Sequence, residues 1–236
     1  MWKYPTDKLV INSKKIHVWK IDLSASYLLV RFYLTILNKE EKKISQIRFI
    51  KDKRRFIISR GILKLILSKY LLIDPKQINF EYTAHGKPKL ADSINSMEIE
   101  FNISHSEELI VYAITCQDPI GVDIEYIQPL LNVEKIAKRF FSTQEFKKLK
   151  YLNNSEKNLE FLKLWTGKEA YLKATGEGIS QGLDKVQITT NHTTKIIGAP
   201  YFNYLPWKII SFVTQSNYLI SIATLDKERK IYYWKV

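Results

Sequence analysis

The chain reads as an α+β protein of two comparable lobes, and three observations lead there. Its 236 residues suffice for one large domain or two smaller ones. A hydrophobic fraction of 45%, with 13% aromatic residues, supplies a core and argues against general disorder. Both halves mix helical signals with later strand signals, with a division near Asp118-Pro119. No short repeat is visible.

The first β-type segment is KIHVWKIDL, residues 15–23. In RRFIISRGILKLILSKYLL (54–72), Ile57, Ile58, Ile62, Leu65, Ile66 and Leu72 fall at helical spacing. Asp74-Pro75 breaks that helix. Strands are predicted at 78–83, 97–104 and 109–115. HGKPKL (85–90) between them is a turn, because Gly86 and Pro88 disfavour regular structure. The second half opens with the strand GVDIEYI (121–127). Ser142 and Glu145 have the spacing of a capping box. A longer helix is predicted across about 158–175, stopped by Gly176. Alternating stretches at 208–214, 218–224 and 230–236 read as strands, and TQSN turns the first into the second. The predicted lobes are 1–118 and 119–236.

Composition narrows the partners. The 37 basic and 24 acidic residues give +13, which favours anionic partners: nucleic acid, a phosphorylated small molecule or an acidic protein. A solvated lysine-rich surface accounts for many of the lysines equally well. The single cysteine, Cys116, excludes an internal disulfide and a thiolate metal cluster. The first ten residues lack the pattern of a secretory leader. No apolar run reaches membrane-spanning length, since Arg31 interrupts the most hydrophobic stretch. A soluble cytoplasmic protein without a membrane partner is expected.

Chemistry enters with GVDIEYI. On a strand, Asp123 and Glu125 point to one face while Val122 and Ile124 pack behind them. Two carboxylates so close require a cation between them or a shared proton. LWTGKEAYLKATGEGI (164–179) offers the complement: Trp165, Glu169, Leu172 and Lys173 share one side of a helix. Glu169 would be a third carboxylate, and three oxygen donors suit Mg²⁺, which takes phosphate oxygens and waters for its remaining positions. Lys173, one turn on, would meet a phosphate held there. The plainer alternative is a surface ion pair between Glu169 and Lys173, worth only about 0.2–0.5 kcal/mol. FNISHS (101–106) places Ser104, His105 and Ser106 at a strand mouth, where hydroxyls and an imidazole can bind phosphate oxygens. EEKK (40–43) and KDKRR (51–55) add basic side chains, with a solvated helix face as their alternative.

Taken in order, RRFIISRGIL, HGKP, FNISHS, GVDIEYI, RFFSTQE and WTGKEAYLKATGEG resemble the 4′-phosphopantetheinyl transferases of the Sfp type, cyanobacterial members above all. The resemblance spans about residues 40–180. It implies a pseudo-twofold pair of similar α/β lobes with the active site in the cleft between them. It implies transfer of the phosphopantetheine arm of coenzyme A to a serine of an acyl or peptidyl carrier protein, releasing adenosine 3′,5′-bisphosphate. The family's Mg²⁺ ligands, with Mn²⁺ as a substitute, fall on Asp123, Glu125 and Glu169. Glu169 is also the candidate base, and Lys173 the lysine facing phosphate. Coenzyme A contacts fall on Lys87, Ser104 and His105, with Arg55 and Lys43 at basic positions near its 3′-phosphate. His85 and Glu40 depart from the family's common residues. An acidic carrier and a monomer are implied. Two readings compete: a catalytically silent relative that binds coenzyme A or carrier, and a basic nucleic-acid-binding protein. No nucleic-acid motif is recognisable, so no nucleic-acid partner is expected.

Overall fold

The computed structural model describes residues 2–6, 9–46, 49–178, 182–190, 194–199 and 205–236. Its first half begins with β1 (Lys15–Asp22), α1 (Leu23–Ser26), α2 (Val30–Ile36), α3 (Lys39–Gln46) and α4 (Ile50–Leu71). Four strands follow: β2 (Phe80–Tyr82), β3 (Pro88–Leu90), β4 (Ile99–Ser106) and β5 (Leu109–Cys116). The second half begins with β6 (Ile120–Tyr126), α5 (Val133–Phe140), α6 (Thr143–Lys150) and α7 (Asn154–Thr175). It ends with β7 (Gln187–Thr189), β8 (Thr194–Gly198), β9 (Trp207–Val213), β10 (Tyr218–Leu225) and β11 (Lys230–Lys235).

Side-chain alternation sorts these elements into four layers. In the first sheet, ordered β11-β1-β5-β4, Trp19, Ile21, Ile110 and Tyr112 pack with buried residues of α4. The opposite face, with Ile16, Val18, Val111 and Ala113, meets Val122, Ile124, Ile220 and Ile222 of the second sheet. That sheet is ordered β6-β10-β9-β8-β7, and its far face packs Leu219 and Ala223 beneath α7. Strands buried on both faces lose the apolar–polar alternation, which is why β5 and β10 read as nearly unbroken apolar runs.

The last strand does not stay with its half. β11 pairs in parallel with β1, Ile16 opposite Ile231. Residues 230–235 thus complete the first sheet, although a division near residue 118 assigns them to the second lobe. Asp118 ties the returning segment down by accepting from Lys227 at 2.7 Å and from Arg229.

The halves repeat one plan. α3 and α4 occupy 39–46 and 50–71; α6 and α7 occupy 143–150 and 154–175, the same lengths 104 residues later. In each copy a buried glutamate closes a capping box. Glu41 accepts from the Asn38 backbone N–H at 2.9 Å and Glu145 from that of Ser142 at 2.8 Å. Each also pairs at 2.7 Å with a fully buried lysine of the long helix, Lys64 and Lys168. Lys168 donates to its glutamate in line and also to the Leu183 carbonyl at 3.0 Å. Lys64 lies off hydrogen-bond alignment. Both long helices end in a left-handed residue, Leu72 at φ 56° and Gly176 at φ 78°.

Candidate active site

The site begins with a glycine. A Cβ at Gly121 would lie 1.9 Å from the Ala170 carbonyl oxygen and 2.5 Å from the Ala174 nitrogen. Only a hydrogen there, facing two alanines of α7, lets helix and strand approach so closely. This contact sets α7 over β6 and brings Glu169 and Lys173 to the face that carries Asp123 and Glu125. Asp123 is 3% exposed and Glu169 8%.

The partner that the two carboxylates require is, in this structure, Lys173. Its ammonium lies 2.5 Å from Asp123 Oδ1, 2.9 Å from Ser104 Oγ and 3.8 Å from Glu169 Oε2. Ser104 Oγ donates to the same Asp123 oxygen at 2.8 Å. Glu125 accepts from Ser106 Oγ at 3.0 Å. One ammonium does not neutralise three carboxylates. Burial, then the Asp123 charge, pushes the Glu169 carboxyl up to about 7 against the pull of Lys173. Burial and the Asp123 charge likewise raise Glu125.

The donor set fits a divalent cation in chemistry and charge. Asp123 Oδ2 is buried without a hydrogen-bond partner, and three carboxylates share one ammonium. Among the described residues no three His, Cys, Asp or Glu side chains already enclose a metal-sized position. The lysine stands among the carboxylates instead.

Beside this cluster, His105 and Arg55 line a hollow of about 150 Å³ with Asp52, Phe56, Ser59 and Ile103. Arg55 Nε is buried without a hydrogen-bond partner. Burial, followed by the charges of Arg55 and Lys173, lowers the pKa of His105 and favours its neutral form. Two other predicted contacts sit elsewhere. Lys87 donates to the carbonyls of Ala174 (3.1 Å) and Ile120 (3.4 Å), tying the first half to the end of α7. Burial lowers its pKa. Lys43 lies exposed on α3. A larger groove, about 750 Å³, runs over Ile127–Asn132 and the start of α7, away from the carboxylates.

Two features escaped the sequence reading. Lys168, beside Glu169 in the motif, is turned away into the pair with Glu145. Asn102, Ser104 and Ser106 alternate along β4 toward β6, and Asn102 Oδ1 accepts from the Val122 N–H at 3.0 Å. These side chains tie β4 to an unpaired edge of β6. Polar residues at every second position of an otherwise apolar strand were the available signal. Of WTGKEAYLKATGEGI, Ile179 lies outside the described residues.

Comparison with known proteins shows the family. Residues 119–223 match the 4′-phosphopantetheinyl transferase superfamily, and residues 24–117 match the 4′-phosphopantetheinyl transferase N-terminal family. The chain is 34% identical over 225 residues to 4′-phosphopantetheinyl transferase HetI of Nostoc sp., covering 94% of this chain and 92% of that one. It belongs to the 4′-phosphopantetheinyl transferase superfamily. The transferase is also 32% identical to 4′-phosphopantetheinyl transferase Sfp of Bacillus subtilis, over 67% of this chain and 68% of that one. A solved holo-[acyl-carrier-protein] synthase of Thermotoga maritima aligns over 47% of the transferase and 65% of its own chain, at 16% identity and a TM-score of 0.39. No described helix of the transferase is long and apolar enough to cross a membrane.

Proposed function

We infer that the seam between the two sheets moves the phosphopantetheine arm of coenzyme A onto a carrier-protein serine. The observation that carries this reading is the buried cluster Asp123–Lys173–Glu169 with its unpartnered Asp123 Oδ2. The serine hydroxyl attacks the β-phosphorus of the coenzyme A pyrophosphate. An oxygen–phosphorus bond forms, the bond from that phosphorus to the bridging oxygen breaks, and adenosine 3′,5′-bisphosphate leaves. Glu169, one turn from Lys173 and facing the same cluster, takes the hydroxyl proton as general base. Lys173 offsets charge that grows on the departing phosphate.

Asp123, Glu125 and Glu169 would hold Mg²⁺ or Mn²⁺. When bound, the ion supplies electrostatic stabilisation of the pyrophosphate oxygens. Arg55 and His105, around their hollow, bind the nucleotide's 3′-phosphate, and Ser104 assists. Lys87 holds the end of α7 through the Ala174 and Ile120 carbonyls, and the exposed Lys43 takes an outer position on coenzyme A. The carrier is acidic, drawn by the chain's +13 charge. The enzyme acts as a cytoplasmic monomer of lobes 1–118 and 119–236, with the last strand returned to the first sheet.

Intact mass of an apo acyl or peptidyl carrier protein, after incubation with the enzyme, coenzyme A and Mg²⁺, tests the reading. The expected gain is about 340 Da, the mass of the arm, lost with EDTA and with Asp123→Ala. Coenzyme A binding without a gain on any carrier would favour a silent relative.

A further inference from the structure

We propose that Ser106 is a positioning residue that sets the orientation of the Glu125 carboxylate for the metal ion. The proposal rests on the carboxylate reading above and adds a residue which that reading does not use. A serine hydroxyl has one proton to give and lone pairs to accept with. Ser106 Oγ accepts from the Tyr126 backbone N–H at 3.1 Å. The N–H approaches the oxygen's lone-pair side, so the hydroxyl proton points elsewhere, and Glu125 Oε2 stands 3.0 Å away. The serine therefore links the β6 backbone to a β6 side chain one residue earlier, and the carboxylate cannot turn without losing a charge-assisted bond.

The anchor is itself fixed. Ser106 is the last residue of β4, paired with Leu109 across a tight hairpin whose Glu107 has φ 48°. The sheets share no backbone ladder at this seam, so Asn102, Ser104 and Ser106 supply its polar ties to β6. Ser104 reaches Asp123 but is shared with Lys173. Ser106 addresses Glu125 alone among the three carboxylates. Groups that orient metal-binding carboxylates usually affect metal affinity about tenfold or more.

The test is Mn²⁺ binding to the full chain with coenzyme A and no carrier, read from the electron paramagnetic resonance signal of free Mn²⁺. Ser106→Ala is expected to weaken binding about tenfold. Ser106→Thr, which keeps the hydroxyl, is expected to restore most of it. In a Glu125→Ala background, Ser106→Ala should cause no further loss. Wild-type affinity in Ser106→Ala, or an equal loss in both backgrounds, would overturn the proposal while leaving the metal reading intact. Absence of Mn²⁺ binding by the unsubstituted enzyme, or full binding by Asp123→Ala, would overturn both.

Discussion

The two halves share a frame and differ in what they place on it. About 104 residues apart, β1 and β6, α3 and α6, and α4 and α7 follow the same order, and the helix pairs match in length. The buried pairs Glu41–Lys64 and Glu145–Lys168 coincide in spacing and in distance. Yet Trp19 and Ile21 stand where the second half has Asp123 and Glu125, and Leu65 stands where it has Glu169. Exposed Lys69 stands where it has Lys173. The first half fills the two strand positions with core, Trp19 and Ile21, and β11 closes its sheet. One scaffold can therefore carry packing at these positions in one copy and carboxylates in the other. What the copies share is architecture, and what they do not share is the site.

Four experiments would break or sharpen this comparison. The largest effect is expected at the shared pairs. Removing Lys168 leaves Glu145 as an uncompensated buried charge, so Lys168→Ala should cost about 3–5 kcal/mol in urea unfolding, and Lys64→Ala less, because Arg60 stays 3.8 Å from Glu41. An equal or larger loss in Lys64→Ala would mean that Arg60 does not compensate Glu41. Next is Gly121, whose counterpart in the first half is His17. Gly121→Ala forces a Cβ against helix backbone and should cost about 3 kcal/mol, near the top of the range for overpacking.

The third concerns pH, where the halves should respond with opposite signs. Glu169 has a folded pKa of about 7 against an ordinary 4.5. Between these values the native state keeps a proton that the unfolded chain has lost, so metal-free stability falls as pH rises. Glu169→Gln should flatten that slope and raise metal-free stability above pH 7. His17, buried against Tyr70 at 2.8 Å, is lowered from 6.5 to about 4 by burial and then by the charge of Lys15. Its contribution is full above 6.5 and is lost as pH falls toward 4, which a Tm series on wild type and Glu169→Gln would separate. The smallest effect belongs to Lys69→Ala, within about 0.5 kcal/mol as for most surface changes. Lys173→Ala, at the matching position, should remove activity by about a hundredfold or more.

Much of the site was legible because it is local. Alternation within GVDIEYI put Asp123 and Glu125 on one face, and helical spacing put Glu169 and Lys173 on another. The capping box at Ser142 and the stop at Gly176 also follow from short-range chemistry, and both are present. The start of α7 was less legible. It lies at Asn154, under a side-chain cap from Asn153, four residues before the predicted start. That helix is buried on several sides and has little amphipathic stripe to mark its ends. The repeat was hidden because few residues are shared between the copies; the backbone plan persists while Trp19 becomes Asp123. The return of β11 and the Glu145–Lys168 pair are long-range pairings, which no local period encodes. Lys87 reads as a phosphate contact by motif, whereas its ammonium here binds two carbonyls, which only the packing of the seam determines.

The most direct test of the central claim is a crystal structure with coenzyme A and Mn²⁺, with the ion located by anomalous scattering. The account predicts one strong peak among the carboxylates of Asp123, Glu125 and Glu169, with Lys173 no longer paired with Asp123. A peak remote from these carboxylates, or Lys173 still paired with Asp123 beside bound coenzyme A and no peak, would contradict it.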